Sequence, residues 1–140
     1  MSLRFDFNCG FAYAVMGHMK KARNNMESAE MLFDNGMYDG AVSSSYYAVF
    51  HAVSTLLASK GMEFNKHKTV ISKYNEVFIH TGLISSISFR SLTALFKLRQ
   101  DCEYDPILFI GEEGAKEALK LAQAAMQDIM EYCQINNIRF

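Results

Sequence analysis

Long apolar runs are missing from this chain. No stretch approaches the roughly 18 to 20 residues that a membrane-spanning helix needs, so no membrane span is expected. Proline is nearly missing too. The single one, Pro106, leaves the rest of the chain free of its helix-breaking geometry. Cysteine is scarce and scattered: Cys9, Cys102 and Cys133 form no CxxC pair. Odd in number and far apart, they suit free thiols in a reducing cytoplasm rather than a disulfide framework. Charge of one sign is lacking as well. Fourteen Lys and Arg against fifteen Asp and Glu leave a formal net charge of -1. No global basic field draws in nucleic acid, so any such contact must come from a local patch. There is no Walker-type or Rossmann glycine loop and no nucleophile elbow. The start, Met1-Ser2-Leu3-Arg4, has no secretory apolar region.

What remains is a globular composition, 50% apolar and 21% charged over 140 residues. This predicts a single domain spanning 1–140, large enough for a real core. The periodicity is helical almost throughout. A first helix is predicted from Phe11 to Asn35, because Met19, Ala22, Met26, Ala29 and Phe33 recur at spacings of three and four. A second runs from Gly40 to Lys60 with Asp39 as its N-cap, on a stripe of Val42, Tyr46, Val49, Val53 and Leu56. A third runs from Lys66 to His80 with Asn65 as N-cap. A fourth runs from Ser86 to Tyr104 and stops at Asp105-Pro106, since a residue before proline is pushed out of the α region. A fifth runs from Glu112 to Gln134. Short connections favour antiparallel neighbours, so the predicted fold is all-α, an antiparallel bundle of four to five helices with its core in about residues 11–134. Phe5, Phe7, Phe11 and Tyr13 make a short aromatic arm expected to pack on the bundle or on a second subunit.

Two segments carry polar chemistry. Ser43-Ser44-Ser45-Tyr46-Tyr47-Ala48-Val49-Phe50-His51-Ala52 places Tyr47 and His51 one turn apart on one helix face. Leu98-Arg99-Gln100-Asp101-Cys102-Glu103-Tyr104-Asp105 sets Arg99 at the border of a buried stripe, with Glu103 one turn on. Both also fit a purely structural role, a hydrogen-bonded core histidine and an intrahelical ion pair. Lys66-His67-Lys68 opens helix three with positive charge, against the helix dipole but near free N–H groups that suit an anion. Glu76 and His80 lack the matching partners of a di-iron bundle, so no metal and no cofactor are implied. His80 instead suits the negative end of its helix.

Taken in order, Ser45-Tyr46-Tyr47-Ala48-Val49-Phe50-His51-Ala52, Leu56-Leu57-Ala58-Ser59-Lys60-Gly61, His67-Lys68, Thr81-Gly82-Leu83 and the segment from Leu98 to Asp105 resemble the landmarks of HEPN domains. The resemblance covers residues 11 to 134. It implies an all-α, often dimeric module in a nucleotide or nucleic-acid context, paired with a minimal nucleotidyltransferase as a toxin–antitoxin couple. Nuclease branches of that family carry an arginine and then, four to six residues on, a histidine. Arg99 matches the arginine, but positions 104 to 106 are Tyr104, Asp105 and Pro106. An unshifted tyrosine is a poor general base at neutral pH, so nuclease activity is not expected from this motif. The site expected is Arg99 as phosphate-binding cation, with Tyr47, His51 and Tyr104 lining the same cleft. Lys66 and Lys68 would contact nucleotide or RNA, and Asp101, Glu103 and Asp105 would position the arginine. The alternatives are a metal-independent endoribonuclease toxin using Arg99, with His51 as a substitute base, and a structural dimerisation or adaptor protein.

Overall fold

The computed structural model describes the backbone of residues 2–140 and the side chains of residues 11–140. Five α-helices are present among these residues: α1 (Ser2–Asp34), α2 (Tyr38–Ser59), α3 (His67–Tyr74), α4 (Ser86–Tyr104) and α5 (Glu112–Ile135). A π-helical turn, Asn75–Ile79, continues α3. None of these helices is long and apolar enough to cross a membrane.

The first two helices end where glycine enters the left-handed region. At the end of α1, Gly36 has φ +74°. Its N–H donates to Phe33 O at 3.0 Å, and Met37 N–H donates to Leu32 O at 2.8 Å. These two bonds satisfy carbonyls that the helix itself leaves unpaired. They also turn the chain straight into α2, so α1 and α2 pack as an antiparallel hairpin. Gly61 repeats the pattern after α2, with φ +78° and a bond from Met62 N–H to Leu57 O. The Phe11 ring lies 3.5 Å from where a Cβ on Gly61 would stand.

Helix α2 is the centre of the bundle. Its residues from Ala52 through Ala58 are buried without a break, and α1, α3, α4 and α5 all contact this helix. Helix α5 presents Ala115, Ala118, Ala122 and Ala125 to the core, all fully buried. Small side chains there let the helix axes approach closely. Leu92 and Leu95 of α4, Tyr74 of α3 and Phe78 of the π turn complete the core. The Tyr74 hydroxyl would be costly in this setting without a partner; it meets Ser88 Oγ at 2.6 Å.

The predicted bundle is present, with corrections at its ends. The first helix begins at Ser2, not Phe11, so the arm is helical. The side chains of Phe5, Phe7 and Cys9 lie outside the described residues, while Phe11 packs near Gly61 and Tyr13 is exposed. Asp39 is not the N-cap of α2. The turn at Gly36 closes so fast that Met37 takes that place, and Asp39 falls in the first turn, where its charge suits the helix dipole. Asn65 does not cap α3 either: Lys66 does, extended and without a side-chain bond. Helix three reaches Ile79 only by widening into the π turn. The fourth helix has the expected bounds, and its N-cap Ser85 accepts from Ile87 N–H at 3.3 Å.

Truncating the centre of α2 has a direct expected cost. Leu56→Ala removes a fully buried side chain and lowers unfolding free energy by about 2–5 kcal/mol, measured by urea denaturation. A loss under about 1 kcal/mol would contradict the central placement of α2.

Candidate functional site

The site forms where α2, the start of α3 and the end of α4 meet. Arg99 leaves α4 one turn before its end and lies against two adjacent rings of α2. Its Cζ is 5.3 Å from the Tyr46 ring centroid and 5.0 Å from that of Tyr47. Nη2 donates to the Glu103 carboxylate, 3.1 Å from Oε1 and 3.2 Å from Oε2. The guanidinium is therefore held by an ion pair along one edge and by π faces beneath it. The side chain is only 15% exposed, and its Nε is sealed with no hydrogen-bond partner.

His67, the first residue of α3, reaches the same pair of rings. Its Nδ1 is 2.7 Å from the Tyr46 hydroxyl. Its ring stacks on Phe50 at 4.3 Å between centroids and meets Tyr47 edge-on at 5.9 Å. Burial pushes Tyr46 well above the ordinary tyrosine range, so it stays a phenol. A phenol both donates and accepts, so it accommodates either tautomer of His67. Burial, with Arg99 adding to it, holds His67 below the ordinary histidine range, while Glu103 opposes them.

A second cluster adjoins this one through Tyr47. His51 stacks on Tyr47 at 6.4 Å between centroids. On its other side, His51 Nδ1 is 3.3 Å from His18 Nδ1 of α1. His18 Nε2 is in turn 3.0 Å from Glu63 Oε1, in the loop after α2. Burial, helped by positive neighbours at His18, Lys21 and His67, pushes His51 down from 6.5 to about 4. Among the described residues, no group of three or more His, Cys, Asp or Glu side chains is arranged to hold a metal ion.

The residues singled out in the sequence separate into two sets. Arg99, Glu103, Tyr47 and His51 come together, with Tyr47 between the arginine and His51. Tyr104 does not join them. It is 79% exposed, because one residue beyond Glu103 turns it to the outer face of α4. Asp101 pairs with Lys97 at 3.4 Å. Asp105 accepts from Ile107 N–H at 3.0 Å, shaping the loop rather than holding Arg99. Lys66 and Lys68 flank His67 and are exposed. Glu76 pairs with Lys73 at 2.9 Å and not with His80. Three residues gain a place that the sequence did not give them. Tyr46 is a fully buried core residue whose ring lies under Arg99 and whose hydroxyl meets His67. His67 supplies an imidazole beside Arg99 from a different helix. His18 joins His51 across 33 positions, a separation that no local spacing reveals.

The sequence matches the HEPN domain family over residues 15–132. The chain belongs to the HEPN domain family. Similar proteins include the "UPF0332 protein" of Thermotoga maritima, 30% identical over 110 residues that make up 79% of this chain and 83% of that protein. Two Methanocaldococcus jannaschii proteins are also similar. "Putative toxin MJ0142" is 29% identical over 120 residues, 86% of this chain and 82% of its own length. "Putative toxin MJ0605" is 36% identical over 83 residues, 59% and 62% of the two chains.

The low His51 value sets a pH dependence for this HEPN domain. The unfolded chain binds a proton at His51 near pH 6.5 and the folded one near 4. Unfolding therefore takes up a proton in that window, so stability is full above about 6.5 and is lost as the pH falls toward 4. His51→Gln flattens this loss relative to wild type, read as melting temperature against pH by circular dichroism. Parallel curves for the two proteins would show that His51 is not the titrating group.

Proposed function

We propose that the cleft of Tyr46, Tyr47, His67 and Arg99 receives a phosphate of a nucleotide or an RNA strand. In the same reading, the chain is the toxin-like member of a pair completed by a minimal nucleotidyltransferase. The state of Arg99 carries the first half. A guanidinium offers five donors in a fixed fork, and here Glu103 is held by Nη2 alone. Phosphate oxygens suit the remaining donors. Lys66 and Lys68 add a local positive rim at the start of α3 to a chain that is otherwise near neutral. The toxin names of two relatives support the toxin-like character, and the nucleotidyltransferase partner rests on the family resemblance alone. A homodimer fits as the working unit, with exposed Ile107 and Phe109 offering apolar surface to a second copy. Sedimentation showing only a 15.9 kDa species at micromolar concentration would remove the dimer.

His67 favours the endoribonuclease version of this reading. The linear motif after Arg99 lacks a histidine, but His67 brings one to the same two tyrosine rings. In metal-independent RNA cleavage a 2′-hydroxyl loses its proton and attacks phosphorus, and the 5′-oxygen departs with a proton. Arg99 would stabilise the charge that builds on the phosphoryl oxygens, and an imidazole would handle the proton. The exposed position of Tyr104 favours the other version, a binding adaptor that holds the ligand without turnover.

Binding of ATP and of a single-stranded RNA oligonucleotide, by calorimetry, tests the cleft. Arg99→Ala weakens binding by about tenfold or more. Glu103→Gln strengthens it, because the carboxylate competes with phosphate for the guanidinium. Equal affinities in all three proteins would end the phosphate reading. If RNA is cut, Arg99→Ala and His67→Ala each slow cutting by about 100-fold. Binding without cutting selects the adaptor. Failure to co-purify with a nucleotidyltransferase encoded beside it would remove the partner.

A further inference from the structure

We propose that His51, His18 and Glu63 form a proton relay that carries a proton from the Arg99 cleft to the protein surface. The proposal rests on the phosphate-binding reading for what the cleft does, but its geometry stands by itself.

The three groups come from three separate parts of the fold: α2, α1 and the loop between α2 and α3. They line up by hydrogen bonds, with His51 Nδ1 3.3 Å from His18 Nδ1 and His18 Nε2 3.0 Å from Glu63 Oε1. Exposure rises along the line. His51 is half-buried, the His18 side chain is 22% exposed and that of Glu63 is 50% exposed. The relay therefore begins beside the cleft and ends in water. Its inner end adjoins the cleft rings directly: His51 stacks on Tyr47, whose other neighbour is the Arg99 guanidinium, and it meets Phe50, on which His67 stacks.

Hydrogen-bond chemistry fixes how such a line works. An ionised Glu63 only accepts, so His18 Nε2 carries a proton and donates to it. Two nitrogens facing each other can share one proton only. With His18 neutral, its Nδ1 is a lone pair, His51 Nδ1–H donates, and His51 Nε2 is a free proton acceptor. When a proton arrives at His51 Nε2, the Nδ1 proton passes to His18. The bonds made and broken balance. His51 gains N–H at Nε2 and loses it at Nδ1, staying neutral with its tautomer reversed. His18 becomes an imidazolium paired with the Glu63 carboxylate.

The surroundings explain why the charge does not rest on His51. It is faced by His18 and Lys21 from α1 and by His67 from α3, and burial adds to their effect. Glu63 is the carboxylate of the line and it contacts His18, not His51. A positive charge is thus disfavoured at the inner imidazole and compensated at the outer one.

Long-range 1H–15N correlation spectra of histidine-labelled whole protein, recorded from about pH 8 to pH 5, read the tautomer of His51 across the range where imidazoles titrate. The expected result is a switch from the Nδ1–H form to the Nε2–H form with no imidazolium at His51. In Glu63→Gln, a surface change, the switch is altered because His18 Nε2 no longer faces a carboxylate. In His18→Phe the switch disappears. A single His51 tautomer across the whole range, or an imidazolium forming at His51 itself, would overturn the relay. An unmoved switch in Glu63→Gln would do the same. A failed switch in a protein that still binds ATP through Arg99 removes the relay alone. A clear switch in a protein that binds neither ATP nor RNA supports the relay and removes the phosphate reading.

Discussion

Burial of α2 from every side is the constraint on which the rest depends. A helix wrapped by α1, α3, α4 and α5 has little solvent face on which to discard polar groups. Ser45 Oγ goes without a partner, but the hydroxyls of Ser54, Thr55 and Tyr46 and the imidazole of His51 find theirs within the bundle. Ser54 and Thr55 return theirs to the backbone, bonding Phe50 O and His51 O at 3.0 Å each. Tyr46 and His51 cannot do so, because their polar atoms reach beyond their own backbone. They recruit His67 and His18 from other helices instead. The site follows from that requirement: polar side chains on the most buried helix pull in partners from its neighbours.

Arg99 shows how charge is admitted at the edge of such a core. A fully buried guanidinium would cost several kcal/mol in lost hydration. Placing it near the end of α4 keeps one side open, and Glu103 and the two tyrosine faces compensate the rest. The outcome is a cation that is fixed in direction yet incompletely satisfied. The same compromise lies behind the two histidines of the cleft, whose protonation is discouraged by burial and by the nearby positive charges. At neutral pH this leaves one strong positive centre with uncharged imidazoles beside it.

Much of this was legible in the sequence because helical periodicity records burial. Met19, Ala22 and Ala29, like Val42, Tyr46, Val49, Val53 and Leu56, were readable as stripes, and all are fully buried. Arg99 and Glu103 were readable because four residues is one helical turn. Helix starts were harder. Asp39 and Asn65 have the chemistry of caps, but a short turn and an extended lysine took those places through backbone geometry alone. Tyr104 was misplaced because a cleft has a direction: one residue beyond Glu103 rotates a side chain about 100° around the helix. His18 and Glu63 could not be read as site residues, and His67 only as part of a basic helix start, since their partners lie on other elements and only the packing of helices brings them together. The absence of a histidine after Arg99 was a true observation about the chain. It was a poor guide to the space around the arginine, where His67 stands.

The π turn at Asn75–Ile79 bears on how this chain is compared with others. A π turn holds one residue more than the α-turn it replaces, and here it closes with His80 N–H on Asn75 O at 2.7 Å. Tyr74 and Phe78, on either side of its start, are both fully buried, and the chain turns at Gly82 just beyond it. A relative with an ordinary α-helix in this place needs one residue fewer to cover the same path. Correct equivalence between the two therefore requires a gap within 75–79. Without it, positions that are superimposable in space are paired one residue out of step, and the segments on either side of the turn cannot both be in register.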